Sequence, residues 1–281
     1  MIGVFDSGFG GLSVLRALRV ALPGYDFVYL GDSGRAPYGG RDSDTILDFA
    51  EQCVERLFDE GCRLVVVACH TVSCVALRHL QRRYTLDGVG DRRVLGVTIP
   101  AAEAAVAISA GHIGVIGTMR TIASGTFGLE VEKLGRHRVS SHAAPLLAPI
   151  VEEGWADSDI ARLAVRRYID LFSDIDTLVL ACTHYPLLLP AFQSAVRKGV
   201  ALLDPSPHVA SRLVDWIRRH PGYAQPGTGR LRFFCTGDPS VFRTLGEQFL
   251  GDPLPQVQHV TEENGRLARR ECMRVVGQIV R

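Results

Sequence analysis

Short β-branched runs and stretches of helical periodicity alternate along this chain from its first residues. The apolar stretches Ile2 to Phe5, Phe27 to Leu30 and Leu64 to Ala68 have the length and composition of buried strands. Between and after them, Leu12 to Leu22, Asp44 to Phe58 and Val72 to Arg83 carry apolar residues at helical spacing. That alternation predicts βαβ units and a parallel sheet. The pattern restarts after Thr98-Ile99-Pro100 with a helix over Ala101 to Ser109 and a strand over His112 to Ile116. Helices near Ser124 to Leu134 and Asp157 to Phe172 then lead to a strand over Leu178 to Ala181. The remainder predicts a helix from Val209 to Arg218, a Pro- and Gly-rich connection between His220 and Gly229, a strand near Phe233 and a closing helix from Glu263 to Val280.

Two of these strands end alike. Val65-Val66-Val67-Ala68-Cys69-His70-Thr71 and Leu178-Val179-Leu180-Ala181-Cys182-Thr183-His184 each place a cysteine where a buried strand emerges. Ligands of parallel sheets bind beyond the carboxyl ends of the strands, so both thiols fall where chemistry is done. Ile2-Gly3-Val4-Phe5-Asp6-Ser7-Gly8 opens one half and Ile113-Gly114-Val115-Ile116-Gly117-Thr118 the other, each followed by its own cysteine strand. The chain therefore reads as a divergent duplication. The expected fold class is α/β, with two pseudo-symmetric lobes, each a mainly parallel sheet flanked by helices. Cys69 and Cys182 then face each other across an active site in the cleft between the lobes.

Composition narrows the chemistry. A chain of 281 residues with a hydrophobic fraction of 47% is long enough for two cores. The 31 basic and 30 acidic residues nearly cancel, which gives no global attraction to nucleic acid or to a membrane surface. No apolar run reaches the roughly 18 residues needed to cross a bilayer, and Met1-Ile2-Gly3-Val4-Phe5 meets Asp6 without the pattern of a leader, so a cytoplasmic protein is expected. The seven cysteines include no CxxC pair, which fits reduced thiols. Cys62, Cys69, His70, Cys74 and His79 crowd one region with a spacing that matches no zinc pattern, so no metal is expected.

The turn Asp6-Ser7-Gly8-Phe9-Gly10-Gly11 joins a strand to a helix, and its glycines allow backbone amides to approach an anionic group. It matches neither nucleotide-binding glycine pattern. Pro37-Tyr38-Gly39-Gly40 supplies a second loop of possible donors. Two thiols on opposite faces of a small molecule suit the inversion of a carbon centre, in which a thiolate removes a proton from carbon and a thiol delivers one from behind. Asp6 and His184 are placed by the inferred topology to assist as acid/base groups. Lys133 and Lys198 lie in helical contexts away from strand ends, which argues against a pyridoxal Schiff base and for chemistry without a cofactor.

These residues resemble the cofactor-independent glutamate racemases of the aspartate/glutamate racemase superfamily. The resemblance is carried by Phe5-Asp6-Ser7-Gly8-Phe9-Gly10-Gly11-Leu12-Ser13-Val14, by Pro37-Tyr38-Gly39, and by Leu180-Ala181-Cys182-Thr183-His184-Tyr185-Pro186-Leu187. Weaker matches are Gly117-Thr118-Met119-Arg120-Thr121 and Pro145-Leu146 leading to Val151-Glu152. It implies interconversion of L- and D-glutamate to supply peptidoglycan synthesis, with Cys69 deprotonating the D enantiomer and Cys182 the L. Asp6 and His184 would assist, Glu152 would orient His184, and Ser7, Tyr38, Gly39, His70, Thr71, Thr118 and Thr183 would contact the substrate along with Asp6 and His184. It further implies a first lobe of residues 1–97 and 208–281, a second lobe of residues 98–207, and a homodimer. His70 departs from the family, which has asparagine there; an imidazole is larger and cannot reproduce an amide's donor and acceptor pair. Phe127 and Ala144 replace a common tyrosine and cysteine. The change at His70 leaves open a racemase of aspartate or another amino acid, and a weakly active amino-acid-binding regulatory protein.

Overall fold

The computed structural model describes residues 1–86 and 91–269, with side chains at 85 and 86 left aside. The strands are β1 (Ile2–Asp6), β2 (Phe27–Gly31), β3 (Leu64–Val67), β4 (Arg93–Gly96), β5 (His112–Gly117), β6 (Arg138–Ala143), β7 (Thr177–Ala181), β8 (Ala201–Leu203), β9 (Leu231–Cys235), β10 (Val257–Glu263) and β11 (Arg266–Arg269). The helices are α1 (Leu12–Ala21), α2 (Ser43–Asp59), α3 (His70–Val75), α4 (Leu77–Leu86), α5 (Thr98–Ile108), α6 (Met119–Ala123), α7 (Thr126–Leu134), α8 (Leu147–Glu152), α9 (Asp159–Ile169), α10 (Leu189–Ala195), α11 (Ser206–Arg219) and α12 (Pro239–Leu250).

Two sheets organise the chain. The first has seven strands in the order β11-β10-β9-β2-β1-β3-β4, and the second has four in the order β6-β5-β7-β8. The inner order β2-β1-β3-β4 repeats as β6-β5-β7-β8, and all of these neighbours pair in parallel. The two lobes thus share one topology, as the repeated strand openings predict. β9 and β10 extend the first sheet in parallel, and β11 closes it antiparallel to β10.

Sequence determines these elements for local reasons. β1, β3 and β7 are buried at every position, so they read as continuous apolar runs. Asp42 caps α2 through Thr45 N–H at 2.9 Å, and Ser158 caps α9 through Ala161 N–H at 3.1 Å. Leu12, Leu15 and Leu18 of α1 face one large core together with Phe233, Phe242 and Phe249, while Val65, Val67 and Leu57 fill a second on the other face of the first sheet.

Several expectations are revised. The single helix predicted over Val72 to Arg83 is two, α3 and α4, interrupted at Ala76. The helix expected near Ser124 to Leu134 is present as α7, and the short α6, which was not expected, precedes it across Gly125, whose φ of 66° separates the two. Thr98-Ile99-Pro100 is the first turn of α5, where the missing proline N–H has no helical partner to lose. The closing helix does not form over its described part, which is the end of β10 and the hairpin strand β11. The rest of that prediction, with Cys272, lies outside the described residues. The boundary drawn between 207 and 208 falls inside α11, which begins at Ser206.

Candidate active site

β1, β3 and β7 deliver their carboxyl ends to one cleft of about 270 Å³ between the two sheets. Ser7, Tyr38, Gly39, Cys69, His70 and Thr71 line it from the first lobe. Thr118, Glu152, Cys182, Thr183 and His184 line it from the second. Asp6 sits behind this wall, fully buried at the end of β1.

On the first wall, Cys69 follows β3, is 5% exposed, and meets Ser7 Oγ at 3.3 Å. Burial pushes its thiol up to about 12; negative charge on Asp6 acts in the same direction, and the Ser7 contact opposes them. Asp6 accepts from Gly8 N–H at 3.0 Å through Oδ2, while Oδ1 is buried without a partner. Its carboxyl is raised above the ordinary range by burial, against the nearby positive charge of His184. Asp6 and Cys69 therefore disfavour each other's negative charge, so a proton is held on this wall.

The second wall is built differently. Cys182 Sγ lies 3.8 Å from His184 Nδ1, and His184 Nε2 meets Glu152 Oε1 at 2.8 Å. Burial alone would lower the His184 ring, yet its bonds to the Cys182 sulfur and the Glu152 carboxylate raise it to about 10. The ring is held edge-on to Phe249 at 5.2 Å. A protonated, oriented imidazole thus stands beside the second sulfur.

Glycines let the lobes approach this closely. Gly10 abuts Thr183 and His184, and Gly39 abuts Thr118. The loop of Gly39 is tied to the second lobe by Arg120 N–H donating to Gly39 O at 2.9 Å, and Ser13 Oγ reaches Thr183 O at 3.3 Å. Three hydroxyls converge nearby: Thr71 and Thr118 lie 2.9 Å apart, with Thr121 at 3.2 and 2.9 Å from them.

Sequence reasoning missed the support behind Tyr38. Its hydroxyl donates to Asp32, a buried carboxylate that also accepts from Thr236 Oγ1 at 2.6 Å and from Arg35 Nε at 2.8 Å. Arg35 stacks on Phe49 at 4.2 Å. Asp32 follows β2 as Asp6 ends β1, and that likeness was its available signal. Pro145, Ala148 and Pro149 also line the cleft, and Tyr185 anchors the second wall by donating to Ala144 O at 2.9 Å. Neither Lys133 nor Lys198 lines it, and among the described residues no cluster of three His, Cys, Asp or Glu side chains is placed to hold a metal ion.

His70 is 4% exposed at the cleft wall, and neither ring nitrogen has a hydrogen-bond partner. Burial lowers its titration to about 4, so the ring is neutral.

Paired parallel lobes with a thiol at each side of a common cleft define a two-lobed α/β protein equipped for proton transfer on both faces of a small molecule. Residues 3–213 match the model of the Asp/Glu/Hydantoin racemase family, and the chain belongs to that family. It is 38% identical over 266 residues to a glutamate racemase of Desulforudis audaxviator, covering 90% of this chain and 95% of that one. A glutamate racemase of Thermus thermophilus is 40% identical over 264 residues, covering 93% and 96%. Among solved structures, the glutamate racemase of Francisella tularensis in complex with D-glutamate superposes with a TM-score of 0.84 at 31% identity, covering 92% of this chain and 97% of that one. The Thermus thermophilus glutamate racemase in complex with β-chloro-D-alanine gives a TM-score of 0.82 at 38% identity, covering 92% and 96%.

Proposed function

We propose that the protein interconverts L- and D-glutamate through Cys69 and Cys182, without a cofactor. The observation that carries this is the pair of strand-end thiols on opposite walls of one cleft, each with its own proton partner. One sulfur takes the α-proton as the Cα–H electron pair passes to the carboxylate-stabilised carbanion. The other sulfur gives its proton to the opposite face, and the two protonation states exchange. Cys182 works with His184, oriented by Glu152, and acts on the L enantiomer. Cys69 works with Asp6 and acts on the D enantiomer. Ser7, Tyr38, Gly39, His70, Thr71, Thr118 and Thr183 hold the substrate, with His184 close to its reacting carbon and Asp6 acting from behind the first wall.

D-glutamate made in this way would serve peptidoglycan synthesis. The six described cysteines are all unpaired thiols, which supports a reducing, cytoplasmic setting. Among the described residues no helix is long and apolar enough to cross a membrane. Residues 1–97 with 208–281, and 98–207, are the two lobes of this reading. A homodimer belongs to this reading, and exposed apolar side chains such as Leu146, Ile160 and Leu163 are available to it; light scattering would measure the assembly.

The test is incubation of each enantiomer of glutamate and aspartate in deuterated water without added cofactor, following loss of the α-proton signal. Exchange and inversion of glutamate are expected. No exchange with glutamate would overturn the assignment, and exchange of aspartate instead would reassign the substrate.

A further inference from the structure

Among the described residues, no arginine or lysine lines the cleft. A dicarboxylic amino acid is anionic near neutral pH, and burying its charge requires a compensating partner. Of the two histidines at the wall, His184 is already engaged by Glu152 and the Cys182 sulfur. His70 is not: its ring is buried, and both nitrogens lack partners. Buried polar atoms are nearly always paired, so an imidazole at a cleft wall with two orphaned nitrogens, both sealed from solvent in the empty cleft, marks a position that a ligand completes once the ring turns to meet it.

We propose that His70 is the cationic contact for a bound dicarboxylic amino acid: its ring is neutral in the empty cleft and takes up a proton from solvent as the ligand's carboxylate reaches it. The proposal rests on reading the cleft as an amino-acid site and adds the charge state in which that ligand is held. As imidazolium the ring presents two N–H donors, one for the carboxylate and one for a neighbouring oxygen.

The charged groups on the elements around α3 are committed elsewhere. Glu130 of α7 pairs with Arg78 of α4 and with Lys133, while Glu51 and Glu55 of α2 meet Arg83 and His79 of α4. Arg120 of α6 donates to Arg41 O, Glu103 of α5 pairs with Arg212, and Cys53 of α2 lies against Arg35. Asp6, Tyr38, Cys69, Glu152, Cys182 and His184 share the cleft region, yet burial alone accounts for the lowered titration of His70. The ring therefore awaits a negative partner, and the ligand brings it.

Isothermal titration with an equimolar mixture of L- and D-glutamate avoids net reaction heat, and buffers of different ionisation enthalpy report the protons taken up per ligand. At about pH 6, where both ligand carboxylates are ionised, the wild-type protein should take up about one proton more than His70→Asn or His70→Gln. Its affinity should weaken about tenfold per pH unit as pH rises from the free toward the bound titration of the ring, a slope both variants lose. Equal proton uptake in all three proteins overturns the proposal. Should the variants fail to fold, the His70 ring signals in wild-type NMR spectra decide the matter: imidazolium in the glutamate complex supports the proposal, and a neutral ring there overturns it. Failure of the wild-type protein to bind glutamate at all is a separate outcome, and it removes the amino-acid reading together with this one.

Discussion

Replacing Gly10 with alanine tests how the two walls are held in register. A β-carbon at this position falls 2.3 Å from Thr183 Oγ1, 2.7 Å from His184 Nδ1 and 2.8 Å from His184 Cε1, whereas ordinary contact begins at 3.4 Å. The Thr183 hydroxyl must retreat by about 1 Å, beyond the distance at which repulsion dominates. His184 has little freedom to follow, because Glu152 at 2.8 Å and the edge-on ring of Phe249 hold it from the far side. Overpacking of this kind costs about 1–3 kcal/mol of stability, which for a chain of this size lowers Tm by roughly 2–10 °C. A displacement of about 1 Å at a reacting group costs roughly 100-fold in rate. Polarimetric racemisation assays started from each enantiomer, alongside thermal unfolding, measure both effects. The loss in kcat/KM should be the same in both directions, because the enantiomers have equal free energy. Gly24→Ala, whose β-carbon enters open space, is the control. A folded Gly10→Ala protein with activity within about threefold of wild type, under 1 kcal/mol of transition-state stabilisation, would refute the reasoning.

Glu152→Gln removes the carboxylate that helps hold the His184 proton, leaving the Cys182 sulfur alone to oppose burial, so the ring titrates below about 10; kcat should fall roughly 10²-fold and the alkaline limb of the pH–rate profile should move to lower pH. Asp32→Asn leaves Arg35 without its charge partner and loosens Tyr38, so KM for glutamate should rise about tenfold with a smaller change in kcat, measured by initial rates. Glu60 gathers Arg56, Arg232 and Arg269 while its own side chain is 5% exposed. Glu60→Gln should destabilise by about 2–3 kcal/mol in chemical denaturation, below the usual loss for a buried pair because the guanidinium groups reach solvent. Burial opposes ionisation of Glu60, yet its arginines bring the carboxyl below 4.5. Its contribution is therefore present above that pH and lost as pH falls through the lowered native value, so the variant should show a smaller acid-side loss of stability.

Much of the site was legible because its signals are local. Cys69, Cys182, Asp6 and His184 lie at or just beyond strand ends, and a parallel α/β sheet brings such ends to one side. Asp32 escaped notice because its role depends on Tyr38, Arg35 and Thr236 converging from three separate segments. β6 was missed because Arg138-Val139-Ser140-Ser141-His142-Ala143 is largely polar and only partly buried, and β8 because three residues carry too little periodicity to register. The closing helix failed where Asn264-Gly265 turns β10 into β11, with Asn264 at a φ of 53° and Gly265 at 78°.

The sequence by itself determined the alternation of strand and helix, the repetition of one topology in two halves, and the emergence of a thiol from a buried strand in each. All three follow from the spacing of apolar residues within a few turns or one strand. Only the tertiary structure decided that the walls differ: one sulfur beside a buried carboxyl and Ser7, the other beside a charged imidazole braced by Glu152. It also decided that His70 lies among neighbours that leave both its nitrogens unpaired. Burial and pairing depend on residues distant in the chain, and these set the charge each group carries when the cleft is empty.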